Sequence, residues 1–232
     1  DVRRATEDLD LDFIRYSLED DSIRRFISRL NCLEGISIRI KKDKIEPLSQ
    51  QEYSGKRVYI IIDDDTGHTL ESKIDLGVHA NINISQDMYC FDVCMDDEGA
   101  SLLINSCEQI FAEKLRSLLR FGPLSTRYKD IFDFCYLKDH VEMERLKECI
   151  GSYILDEPTM REQNMDDIRR RVSRTFNNRQ FRTNVEGSGD RNWLQIDVEE
   201  AFSIINNFIP FVKKNIVEVG NFSLVIRIKS IN

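Results

Sequence analysis

Apolar residues recur at every second position through the first half of this chain, and at every third or fourth position after about residue 106. A period of two belongs to strands and one near 3.6 to helices. A chain with mostly strands first and helices later is expected to fold as α+β. That places an N-terminal mixed sheet over residues 1–106 and a mainly helical domain over 107–232. The strand candidates are LDLDF (9–13), ISIRI (36–40), KRVYIII (56–62), HTLESKIDLGV (68–78), MYCFDV (88–93) and SLLIN (101–105). Among them lies one helix, DDSIRRFISRL (20–30), with Ile23, Phe26, Ile27 and Leu30 at helical spacing and Asp20, Asp21 and Ser22 available to cap it. Helices are expected at 107–122, ending at Gly122-Pro123, at 127–140, near 141–154, near 164–179, and at 197–216 with a bend at Pro210. NVEGSGDRN (184–192) reads as a loop and FSLVIRI (222–228) as a late strand.

The stretch ATEDLDLDF (5–13) carries Asp8, Asp10 and Asp12 on one side of a strand, and Leu9, Leu11 and Phe13 on the other. Like charges at this spacing repel. Carboxylates two residues apart, roughly 6.5 to 7 Å along the strand, can converge on a hard cation such as Mg²⁺. A third carboxylate from another strand would complete a two-metal site. Asp75 in SKIDLGV is the candidate, with Lys73 two residues before it on the same face. The alternative is a solvated acidic face. A calcium loop is the weaker reading, because the sixth position from Asp8 is Phe13 rather than glycine although Glu19 is the twelfth, and DDDTG (63–67) also fails that pattern.

Lys114 borders the Phe111–Leu115–Leu118 stripe of its helix. It reads either as a phosphate-binding or proton-donating lysine or as a lysine snorkelling from a core edge, and spacing alone favours the second. In RYKDIFD (127–133), Arg127–Asp130 and Lys129–Asp133 have the spacing of ordinary surface ion pairs. The net charge of −8 argues against bulk nucleic-acid binding but leaves room for a local basic face. Such a face is available in residues 161–182, with seven arginines against three acids. Six cysteines without CxxC spacing, and three histidines without ligand spacing, speak against zinc and for a reducing cytoplasm. No apolar run is long enough for a membrane span.

Four segments in order, R-x-T-x-D-L-D-L-D (4–12), K-I-D (73–75), E-K-L-x-x-L-L-R (113–120) and R-Y-K-D-I-F-D (127–133), resemble the AbiEii/AbiGii toxin family of nucleotidyltransferases, within the polymerase-β-like superfamily. The resemblance spans roughly residues 3–138. It implies a sheet of nucleotidyltransferase type, Mg²⁺ held by strand carboxylates, and transfer of a nucleoside monophosphate from an NTP to RNA, with tRNA the expected acceptor. It also implies a toxin of an abortive-infection system acting in phage defence, neutralised by a cognate antitoxin. Asp8, Asp10 and Asp75 would bind metal and act in catalysis with Lys114, while Lys73, Arg120, Asp130 and Asp133 would serve the nucleotide site. The family's Gly-Ser turn before its first aspartates has no counterpart in residues 1–7, and Asp1 is not a methionine, as expected of a chain that lacks an N-terminal piece including that turn and a helix. Two rival expectations are transfer to a protein or small-molecule hydroxyl, and a truncated, non-catalytic interaction module.

Overall fold

A computed structural model describes residues 9–13, 17–48, 55–78, 86–93 and 96–209, with the backbone alone for residues 9, 10, 12, 91–93, 96–100 and 190. The chain divides into two compact units, residues 1–84 and 85–232. Strands come first and helices later, so the α+β class holds.

The first unit is a four-stranded mixed sheet in the order β1 (Leu9–Phe13), β4 (Thr69–Val78), β3 (Lys56–Asp64), β2 (Ile36–Pro47). β1 runs parallel to β4, and the other two pairings are antiparallel. One helix, α1 (Asp20–Arg29), is amphipathic and buries Ile23 and Ile27. These join Phe13, Val58, Ile60, Ile74 and Leu76 in a single core, where each fully buried aliphatic side chain stabilises by about 1.5–3 kcal/mol. Leu11 packs against the same core, so the apolar side of the aspartate strand faces inward as its alternation requires. Ser22 is buried and accepts from Arg25 rather than capping the helix. The DDDTGH turn is closed by Asp64, whose Oδ1 accepts from the Thr66 and His68 backbone N–H groups. Those bonds, with the Thr66 hydroxyl foremost, hold its carboxyl below the usual range.

The second unit begins with an antiparallel hairpin, β5 (Asp87–Val93) and β6 (Asp96–Ile104). Helix α2 (Cys107–Phe121) follows, opened by a capping box in which the Ser106 hydroxyl accepts from the Gln109 N–H and Gln109 Oε1 accepts from the Ser106 N–H. It packs against α3 (Lys129–Leu137), α4 (Met143–Ile150) and α5 (Met165–Phe176). Phe111 anchors this centre, edge-on to Phe134 at 4.8 Å. The helix expected near 141–154 is α4 continued by a π-helical turn, Gly151–Leu155.

The single basic helix expected to run to residue 179 is instead two, α5 and α6 (Arg179–Glu186). Asn177 ends the first, and the Asn178 side chain accepts from the Phe181 N–H to start the second. Paired asparagines favour helix ends because their amides compete for backbone hydrogen bonds. The loop expected at 184–192 shrinks accordingly: α6 takes its first residues and a 3₁₀ turn spans Gly189–Arg191. Helix α7 covers Val198–Phe208; Pro210 and the strand expected at 222–228 lie outside the described residues.

Candidate functional site

Backbone register places three charged residues in one row across the sheet of the first unit. Asp10 on β1 is the partner of Asp75 on β4, and Asp75 is the partner of Arg57 on β3. Asp75 and Arg57 lie on the face opposite the core that Ile74, Leu76 and Val58 build. Arg57 grips Asp75 with two parallel hydrogen bonds, Nε to Oδ1 at 2.7 Å and Nη2 to Oδ2 at 2.6 Å. The Asp75 side chain is 12% exposed, so the pair is partly desolvated and geometrically fixed. The bond to Asp75 holds the Arg57 guanidinium above its already high ordinary pKa. Lys73 lies two residues before Asp75 on the same face and opposite Tyr59. Asp8 lies outside the described residues.

A second cluster sits in the helical unit. Lys114 of α2 reaches α3, with its Nζ 2.5 Å from Asp130 Oδ1 and 2.9 Å from Asp133 Oδ2. Both aspartates are buried, at 8% and 4% exposure. This corrects the reading of 127–133 as a surface helix with simple ion pairs. Arg127 does approach Asp130, at 3.6 Å, but the two carboxylates face a lysine on another helix. Lys114, only 15% exposed at its side chain, is no snorkelling residue either. Trp193 completes the cluster by donating its indole N–H to Asp133 Oδ1 at 2.9 Å. Burying three charges costs several kcal/mol per ion before their mutual attraction returns it, so the cluster is poor evidence for stability alone. Arg120, six residues beyond Lys114, is exposed, about 120° round the helix from it.

The arginines of 161–182 divide by task. Arg171 donates to the Leu119 carbonyl, and Arg182 donates to the Phe176 carbonyl and pairs with Glu199. Arg169 and Arg170 pair with Asp166 and Asp167 of their own helix. Arg169, Arg170 and Arg174 line an open groove with Ser173 and Asn206.

Residues 1–201 match the family described as Nucleotidyl transferase AbiEii toxin, Type IV TA system. The chain belongs to the AbiEii family. No curated protein matches it. An AbiEii toxin has an antitoxin partner and a nucleotide substrate by the nature of its family.

The AbiEii sheet has the donor chemistry for a divalent cation. Asp75 carries a carboxylate on β4 and Asp10 is its backbone register partner on β1, and oxygen ligands are what Mg²⁺ takes. Each carboxylate oxygen offers two lone pairs, so Asp75 can hold Arg57 and a cation together. Among the described residues no three acidic, histidine or cysteine side chains group as a metal site; Asp8 and the Asp10 side chain are not among them. No described helix is long and apolar enough to cross a membrane.

Two residues of these clusters escaped the sequence. Arg57 sits in the apolar-looking run KRVYIII and gains meaning only from strand register. Trp193 had one signal, being the only tryptophan in the chain.

Proposed function

We propose that this AbiEii protein transfers a nucleoside monophosphate from an NTP to an RNA acceptor, with tRNA the expected RNA, in a Mg²⁺-dependent reaction in the cytoplasm. As the toxin of an abortive-infection system, it would be held in check by its antitoxin and act in phage defence. The observation that carries this reading is the Asp10–Asp75–Arg57 row across three strands.

Asp8, Asp10 and Asp75 would hold the metal ions, which when bound neutralise triphosphate charge and make the acceptor hydroxyl more acidic. The chain's own residues do the rest. Arg57 fixes the Asp75 carboxylate in one rotamer, so its oxygens face the reaction without reorganisation. Lys73, on the same face, offers its ammonium to the phosphates. Lys114, held in place by Asp130 and Asp133, serves the nucleotide. Arg120, exposed on α2, would serve the same nucleotide site. The groove lined by Arg169, Arg170 and Arg174 supports the RNA contact. The five described free cysteines, two of them buried, support a reducing compartment.

Incubation of the full chain with each α-³²P-labelled NTP, Mg²⁺ and total tRNA tests the reading, beside Asp10→Asn. Label on RNA that disappears with the variant is the expected result. Label on protein alone would replace RNA by a protein hydroxyl, and no label on any species would remove the transferase reading.

A further inference from the structure

An aromatic stack leads from the Lys114 cluster to solvent. Asp133, Tyr136 and His140 follow at spacings of three and four residues along α3 and the turn after it, which places them on one side. Asp133 is buried, whereas Tyr136 is 44% exposed and His140 is exposed. The Tyr136 and His140 rings are stacked, with centroids 4.1 Å apart and 19° between planes. Trp193 leans against Tyr136 at 5.5 Å while its indole N–H holds Asp133. His140 is fixed as well, its Nδ1–H donating to the Tyr136 carbonyl at 2.8 Å. Three rings are thus ordered without being buried. An exposed, pre-ordered aromatic stack binds a flat aromatic ligand at little entropic cost.

We propose that this stack is a nucleobase platform on which the base of the nucleoside triphosphate lies. The inference rests on the reading above, which assigns Lys114 to the nucleotide. Asp133 is the link, since it accepts from Trp193 and pairs with Lys114. A base on the platform therefore sits beside the residue assigned to the same nucleotide. Stacking tolerates every base, so the platform contributes affinity more than base choice.

Trp193, as the only tryptophan, reports on the site directly. The experiment titrates the full chain with each Mg–NTP, with inorganic triphosphate, and with a short single-stranded RNA, by tryptophan emission and by calorimetry. The variants are Tyr136→Ala and Tyr136→Phe, at an exposed position where folding is not at stake. NTPs are expected to quench Trp193, Tyr136→Ala to raise their Kd about tenfold, and Tyr136→Phe to restore it. Triphosphate affinity should be the same in all three proteins. An unchanged NTP Kd in Tyr136→Ala overturns the platform while leaving the transferase reading intact. Equal weakening of triphosphate overturns it too, by showing a general effect on the site. Quenching by RNA but not by NTP overturns the choice of ligand. Failure of both NTP and triphosphate to bind removes the nucleotide reading itself.

Discussion

Arg57 and Asp75, partners on adjacent antiparallel strands, are locked together by two hydrogen bonds of 2.7 and 2.6 Å. The carboxylate assigned to catalysis is thereby held by its own sheet. Arg57→Lys keeps the charge and loses the planar two-point grip. It should lower kcat by about 10- to 100-fold with a smaller change in KM, because orientation rather than binding is lost. Arg57→Ala should also destabilise by about 1–3 kcal/mol, since Asp75 stays largely buried without its partner. Steady-state kinetics and urea unfolding of the two variants measure these effects.

The Lys114 cluster gives a second test. Lys114→Met leaves Asp130 and Asp133 buried with their principal cation gone, and is expected to cost about 3–5 kcal/mol. Neutralising a carboxylate as well, in Lys114→Met/Asp133→Asn, should recover part of that loss. A double-mutant cycle by chemical denaturation reads the coupling; strict additivity would contradict the paired geometry.

Arg174 and Arg182 should part company, although both belong to the basic segment. Arg174 lines the open groove, so Arg174→Ala should leave unfolding unchanged and reduce the salt slope of RNA affinity by about 0.7. Arg182 donates to a backbone carbonyl and pairs with Glu199, so Arg182→Ala should lower stability instead. Binding at a series of salt concentrations, with melting curves, separates the two.

The cysteines should react in two classes. Burial pushes the Cys135 thiol up to about 12 and that of Cys149 up to about 11. A raised pKa means that reactive thiolate is scarce below those values and grows only as pH approaches them. At pH 8, alkylation followed by mass spectrometry should label exposed Cys32 and Cys90 quickly and spare Cys135 and Cys149 until the chain unfolds.

Strand and helix periods made the architecture legible, because Leu11, Ile74 and Leu76 needed one core and showed it by alternation. The candidate carboxylates were visible for the same reason. Arg57 was not, because pairing between strands is set by tertiary register, which no local pattern encodes. Asp130 and Asp133 were misread from spacing because a helical wheel shows which side a residue takes, and not which neighbour covers it. Here the cover is Lys114 of α2 together with Trp193. The helix break at Asn177-Asn178 was legible in principle, since both residues favour helix ends.

The most direct test of the central claim compares wild type and Asp75→Asn for transfer of α-³²P label from NTP to tRNA, with circular dichroism of both proteins. The account predicts label on the tRNA with wild type, a fall of at least about 100-fold with Asp75→Asn, and matching spectra. Equal transfer by a well-folded Asp75→Asn would contradict it.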